Sequence, residues 1–153
     1  MGLVEPLFDM DEQRFKETLR RSAETKHDGA DGAGNMIAAL DSALAAARQK
    51  GELREAVCCM EEAFVVKLQA FGSDDDRVSS TCGELALGYN TLAMRMVEEG
   101  QFDEAYELLK KAEILTEEEG SLKSDFQKRM KLNAITLNNL GCFFKRKGKL
   151  QAA

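Results

Sequence analysis

The sequence has only one proline and no tryptophan among its 153 residues. Proline in a helix interior costs about 3 kcal/mol, so its scarcity is typical of a nearly all-helical chain. No apolar run approaches the roughly 20 residues that a bilayer-spanning helix needs. The first residues, Met1 to Glu5, lack the basic and apolar regions of a secretory signal. We therefore expect a cytoplasmic protein without a membrane partner.

Groups that bind metals or carry out catalysis are also scarce. The four cysteines (Cys58, Cys59, Cys82 and Cys142) show no CxxC spacing, and neighbouring cysteines on a helix point to different faces. The single histidine, His27, lies in a glycine-rich stretch far along the chain from all four. We expect free thiols in a reducing compartment, no metal, no cofactor and no enzymatic activity.

The net charge of −6 argues against nucleic acid as the main partner. Acidic side chains dominate residues 98–119, whereas basic side chains dominate residues 123–149. Such runs are ordinarily solvated helix faces, with the basic residues favourably placed near helix C-termini. The alternative is an acidic belt and a basic belt that dock a charged partner or a second copy of the chain. Both interpretations stay open at this point.

A six-residue pattern occurs three times, at Gly51–Ala56, Gly100–Ala105 and Gly148–Ala153. Each copy reads glycine, any residue, a large apolar residue, two unconstrained residues and alanine, and the copies are spaced by 49 and then 48 residues. Self-similarity at such a period is the signature of a solenoid. We expect each glycine to end one helix in the left-handed conformation and the apolar residue to begin the next. The alanine lets the two helices approach closely.

The hydrophobic periodicity divides the chain into an N-terminal part and a helical array. The N-terminal part is predicted to comprise an extended arm (1–8), a helix (9–26) and a flexible glycine-rich loop (27–35). Asp9, with Glu12 three residues later, resembles a capping box at the start of this helix. Phe15, Leu19 and Ala23 recur on it every fourth residue as an apolar stripe.

The array over residues 36–153 is predicted to contain three helical hairpins, at 36–72, 76–120 and 122–153, the last one truncated. Its helices are expected over 36–50, 52–71, 76–99, 102–119 and from 122 or 124 to 147, with Asn35 capping the first. Long helices joined by short connections run antiparallel to their neighbours. The last copy of the pattern would place the end of the chain one turn into a further helix. We expect the chain to be the N-terminal part of a longer repeat protein.

The later hairpins carry large-apolar, small and aromatic residues in matching register. In the second hairpin these are Tyr89, Leu92, Ala93 and Met96 before Gly100, with Phe102, Ala105, Leu109 and Ala112 after it; in the third they are Leu137, Leu140, Gly141 and Phe144 before Gly148. This register resembles tetratricopeptide repeats, and the stretch 134–141 is similar to repeats of the kinesin light chain type. The family's unit is 34 residues long, so the longer spacing here is a departure from it.

The resemblance implies an all-α, right-handed solenoid of antiparallel hairpins preceded by an extra N-terminal helix. It also implies that the first helix of each hairpin lines a concave face that holds a peptide or a partner helix. By register, this face would carry Asp41, Ala45 and Arg48, then Leu87, Asn90, Thr91 and Met94, then Ile135, Asn138, Asn139, Cys142 and Lys145. An asparagine amide can both donate to and accept from a peptide backbone, but it can equally satisfy neighbouring groups of its own chain.

We therefore expect a protein–protein interaction scaffold or adaptor whose partner is a protein or peptide. The alternative is a structural module that self-associates, through Phe15 and Leu19 among others, in a larger assembly with no peptide ligand. If the Phe15 stripe packs on the hairpins it is a cap, and if it is bare it is an interface. The kinesin light chain resemblance adds a cytoskeletal location as an alternative within the cytoplasm.

Overall fold

The computed structural model describes residues 5–25 and 32–152, and every regular element in these residues is helical. A short 3-10 turn at Leu7–Asp9 precedes six α-helices: α1 (Glu12–Glu24), α2 (Gly34–Lys50), α3 (Leu53–Phe71), α4 (Asp76–Glu98), α5 (Phe102–Leu115) and α6 (Phe126–Ala152). The prediction of an all-α chain is confirmed for this part. Most of the predicted glycine-rich loop and half of the predicted extended arm lie outside the described residues.

The first two copies of the six-residue pattern form the turns that the sequence predicts. Gly51 and Gly100 have φ angles of 72° and 80°, in the left-handed region that glycine adopts without steric cost. At each turn the next residue's N–H bonds back across the helix end, from Glu52 to the Ala47 carbonyl and from Gln101 to the Met96 carbonyl. This is the Schellman arrangement that ends a helix and reverses the chain.

The helices pack in chain order. α2 packs on α3, α3 on α4, and α4 on α5, while α6 contacts both α4 and α5. A buried Gly88 lets α3 and α4 approach closely, since a Cβ there would lie 3.1 Å from Met60 Sδ and 3.3 Å from Val57 Cγ2. On the other side, α1 lies across α3 and α5, and the 3-10 turn contacts α3.

The third copy of the pattern does not form the predicted turn. Gly148 lies inside α6, which continues to Ala152, and among the described glycines only Gly32, Gly51, Gly72 and Gly100 have positive φ. All side chains from Lys149 to Ala152 are exposed. Within the described residues no other element covers them, and the helix continues through its own local hydrogen bonds. The prediction of a helix end at Lys147 is wrong.

Several other helix ends differ from the prediction because of side-chain hydrogen bonds. Asp11, rather than Asp9, caps α1, since its carboxylate accepts from the Arg14 N–H at 2.8 Å. The Asp125 carboxylate accepts from the Lys128 N–H at 3.1 Å, so α6 begins at Phe126 and not at 122 or 124. The Thr116 hydroxyl donates to the Glu113 carbonyl at 2.9 Å where α5 ends, four residues before the predicted end.

The start of α2 is a further correction. The helix begins at Gly34, so Asn35 is its second residue and does not cap it. Ala33 occupies the capping position and makes no side-chain hydrogen bond there.

Candidate protein-binding surfaces

The predicted binding residues of the first hairpin are exposed on α2. Arg48 forms an ion pair with Glu84 of α4, with 3.4 Å between Nη2 and Oε2. Asp41 lies 4.0 Å from the ammonium of Lys67 on α3. The Arg48–Glu84 pair is exposed on both sides, and such pairs contribute between 0 and about 1 kcal/mol, whereas the Lys67 ammonium also donates to Thr81 Oγ1 at 3.0 Å. A partner can therefore compete for either side chain at little cost.

Asn90 is buried, so its side chain is not exposed to a peptide. Its amide nitrogen donates to the Ala86 carbonyl and to Thr136 Oγ1, both at 2.9 Å, and its amide oxygen accepts from Asn139 Nδ2 at 2.9 Å. Asn90 is only 2% exposed and its amide makes three hydrogen bonds within the chain, so in this conformation it presents little surface to a peptide. Asn90, Thr136 and Asn139 instead form a polar junction that fixes α6 on α4.

Exposed candidates surround this α4–α6 junction. Leu87 and Thr91 lie on either side of Asn90 along α4; Leu87 is 49% exposed and the Thr91 hydroxyl donates to its carbonyl at 3.0 Å. Asn138, beside Asn139, is exposed, as is Lys145 further along α6, whereas Met94 is half-buried against the core. We call Leu87, Thr91 and Asn138 the inner-face cluster. It combines an apolar side chain with hydrogen-bonding groups on two helices that are fixed to each other.

The N-terminal stripe is packed and not bare. Phe15 is completely buried, and its ring centroid lies 6.1 Å from that of Tyr89 on α4. Leu19 and Ala23 are partly buried against the same core. The stripe therefore has the geometry of a cap over α3 and α5, and Phe15 offers no surface for self-association in this conformation.

A buried polar cluster beneath this cap was not anticipated from the sequence. Tyr89 donates its hydroxyl to Glu61 Oε2 at 2.5 Å, and Lys111 Nζ donates to the Phe8 carbonyl at 2.8 Å. Glu61 and Lys111 are each only 1% exposed. One feature of the sequence indicates this cluster. Lys111 lies three residues after Leu108 and four before Leu115, so it places a charge on the apolar face of α5.

Burial raises the pKa of Glu61 to about 7, against the opposing effects of the Tyr89 hydrogen bond and the Lys111 charge. Burial also lowers the pKa of Lys111 and, with the Glu61 charge, raises that of Tyr89 well above its ordinary value. Among the described residues, Glu61 Oε1 is the only buried side-chain oxygen or nitrogen without a hydrogen-bond partner. The cluster joins the N-terminal segment to α3, α4 and α5.

Cys58 and Cys82 are shielded enough from solvent that their thiols stay protonated and therefore unreactive. Burial raises the pKa of the Cys82 thiol to about 12 and that of Cys58 to about 11. Within residues 5–25 and 32–152, no group of histidine, cysteine, aspartate and glutamate side chains is placed to hold a metal ion. None of the helices described there has the length and apolar character to cross a membrane.

A second exposed surface runs along α6 on the side away from the polar junction. Leu137, Gly141 and Phe144, which the sequence predicts at large-apolar, small and aromatic positions of a repeat, are exposed, together with Met130 and Ala134. We call these five residues the α6 seam. α6 buries only the stripe formed by Leu132, Thr136, Leu140 and Phe143. The seam is therefore a helix face for which the described residues provide no partner.

Comparison of this chain with protein-family models, curated proteins and solved structures finds no match. Any function must therefore be argued from the surfaces themselves.

Proposed function

We propose that the protein is a protein–protein interaction module, a tetratricopeptide-like solenoid that binds an extended peptide or a partner helix on its inner face. The observation that supports this best is the inner-face cluster. Leu87 is half exposed on α4, Thr91 on the same helix is exposed with its hydroxyl oxygen free to accept, and Asn138 on α6 is exposed with an amide that can donate and accept. An apolar anchor with adjacent donors and acceptors suits a peptide, whose backbone needs both kinds of hydrogen-bonding group.

The two helices that carry this cluster are held together by buried hydrogen bonds, as is favourable for a binding site. The Asn90–Thr136–Asn139 junction fixes α4 and α6 through buried hydrogen bonds of 2.9 Å. Because the two helices are already fixed to each other, a partner does not have to order their backbones, which reduces the entropic cost of binding. The ion-paired Arg48 and Asp41 on α2 extend the surface with charges that a partner can engage.

The test is a peptide selection against the immobilised chain, followed by affinity measurements on one selected peptide by fluorescence anisotropy. Leu87→Gln and Asn138→Ala should each weaken binding by about tenfold or more. Gln13→Ala, an exposed residue on α1, is the control and should leave the affinity unchanged. Peptides whose affinity is insensitive to both inner-face substitutions would contradict the proposal.

The second candidate function is self-association in a larger assembly. The α6 seam is the exposed apolar surface that self-association would use, whereas Phe15 is buried; the basic side chains along α6 oppose a symmetric α6–α6 pair. Light scattering during size-exclusion chromatography distinguishes the two functions. A dimer that persists in high salt and is lost in the Leu137→Gln variant would favour the structural module.

A further inference from the structure

The residues of the α6 seam follow a strict seven-residue period. The large members Met130, Leu137 and Phe144 recur every seventh residue, as do the small members Ala134 and Gly141, and Gly148 continues the small series one heptad beyond the seam. Large and small residues therefore alternate along one face of the helix. A period of seven is the pattern by which one helix presents a narrow stripe to another that crosses it at a shallow angle.

The small residues leave space at the surface. A Cβ added at Gly141 or at Gly148 would have no heavy atom within 4 Å, in contrast to Gly88, where it would meet α3. Small residues at regular intervals allow the axis of a second helix to come close, with its larger side chains between Met130, Leu137 and Phe144. At the far end of the seam, Tyr106 of α5 adjoins Phe144, with ring centroids 6.1 Å apart.

The charges on α6 all have one sign. The helix carries seven basic side chains and no acidic one: Lys128, Arg129, Lys131, Lys145, Arg146, Lys147 and Lys149. At 100° per residue, Lys131, Lys145 and Lys149 flank the seam on one side, and Arg129 and Lys147 flank it on the other. Within the described part of the chain, no side chain of α6 forms an ion pair.

These features identify the chemistry of the occupant. We propose that the α6 seam docks an amphipathic helix whose apolar stripe is flanked by acidic side chains. The same inference does not extend to a second copy through α6, because an α6–α6 pair would set lysine and arginine against lysine and arginine. The proposal is argued from the seam and its flanking charges and does not depend on the inner-face cluster, whose Asn138 adjoins the seam on α6.

A membrane surface is the less suitable occupant. Helices that lie in a membrane interface present a broad face of bulky apolar residues. The seam instead has a single row of large side chains separated by alanine and glycine, and the opposite side of α6 is packed on α4 and α5. A single row of large side chains is a face that one partner helix can cover.

The probe for the test is a synthetic helix of about 21 residues, or three heptads, with leucine and alanine at the seam positions and glutamate at the flanking positions. A matched peptide carries lysine in place of every glutamate. Affinities for the 153-residue chain are measured by fluorescence anisotropy at low and at moderately high salt. We expect the acidic peptide to bind at least about tenfold more tightly than the basic one, and salt to reduce this difference.

Two substitutions test the location of the site. Leu137→Gln removes a large member of the seam, and Gly141→Leu fills the space at a small one; each should weaken binding of the acidic peptide by about tenfold or more. Because Gly141 has open space around it, this variant should retain the wild-type circular dichroism and melting temperature. The matched control is Leu87→Gln, since Leu87 and Leu137 are 49% and 51% exposed, and it should leave this affinity unchanged.

Several results would overturn the proposal. They are failure of the acidic peptide to bind, equal affinity for the two peptides, and equal effects of Leu87→Gln and Leu137→Gln.

Light scattering and vesicle flotation identify the competing occupants. A dimer that Leu137→Gln dissociates would assign the seam to a second copy. Binding to phosphatidylserine-containing vesicles that Leu137→Gln abolishes, without binding of the acidic peptide, would assign it to a membrane.

Discussion

Tyr89 on α4 and Glu61 on α3 form a buried pair, with 2.5 Å between the phenol oxygen and the carboxylate oxygen that accepts its proton. The pair lies beneath the N-terminal segment, next to Phe15, whose ring adjoins that of Tyr89. Lys111 is the nearby positive charge, and it is held by the Phe8 carbonyl. A carboxyl group, a phenol and an amine thus connect the cap to the helices that it covers.

The stability of the protein should fall as the pH rises from about 5 to about 7. The pKa of Glu61 is raised from 4.5 to about 7 in the folded chain, so in this window the folded state holds a proton that the unfolded state has released. The free energy of unfolding therefore decreases with pH, by up to about 3 kcal/mol for this difference in pKa. Urea denaturation at a series of pH values measures the effect.

The control for this prediction is Glu61→Gln, whose amide oxygen can still accept from Tyr89 and which does not titrate. This variant should lose most of the decline and be more stable than the wild type at pH 8. An unchanged decline in Glu61→Gln would assign the pH dependence to other groups.

Lys111→Met should release the N-terminal segment while the rest of the chain stays folded. The substitution keeps an unbranched side chain, one atom shorter than lysine, but removes the hydrogen bond to the Phe8 carbonyl; a loss of roughly 1.5–3 kcal/mol is expected for a bond from a charged group. Hydrogen exchange followed by mass spectrometry should show faster exchange in α1 than in the wild type, with little change in α2.

The neighbouring Lys110→Met is the matched control for Lys111→Met. Lys110 forms its ion pair with Glu113, three residues along the same helix, and not with the N-terminal segment. Equal acceleration of α1 exchange in both variants would mean that the Phe8 contact does not hold the cap.

Phe15→Ala should destabilise the protein without changing its oligomeric state. The side chain is completely buried against Tyr89, and truncation of a buried phenylalanine typically costs about 3–5 kcal/mol. Leu19→Ala should cost less because Leu19 is only partly buried. Urea denaturation measures the stabilities and light scattering the mass. A wild-type oligomer that becomes monomeric in Phe15→Ala would contradict the assignment of α1 as a cap.

Asn90→Ala and Asn138→Ala should separate stability from binding. Loss of the Asn90 amide leaves Asn139 without its acceptor and removes the bond to Thr136, which should cost about 1–3 kcal/mol. Asn138 is exposed, so its substitution should leave the urea midpoint within experimental error and instead weaken a peptide bound on the inner face. A larger loss of stability in Asn138→Ala than in Asn90→Ala would contradict this division.

The sequence alone indicated the elements whose structure depends on local interactions. The scarcity of proline and the helical periodicity predicted an all-α chain, which the described residues confirm. Gly51 and Gly100, each followed two residues later by an apolar residue, predicted the turns of two hairpins. These predictions succeed because a left-handed glycine and an amphipathic stripe act within one or two turns of the chain.

Only the tertiary structure decided which side chains are surface and which are interior. Gly148 opens the same six-residue pattern as Gly51 and Gly100, yet it lies inside α6, which continues to Ala152. Asn90 and Lys111 are polar residues buried by contacts with residues 46 and 103 positions away, and Phe15 is covered by helices distant in sequence. Leu137 and Phe144, apolar in sequence, are exposed on the α6 seam. Helical periodicity fixes which residues share a face, but burial of that face depends on an element that comes from elsewhere.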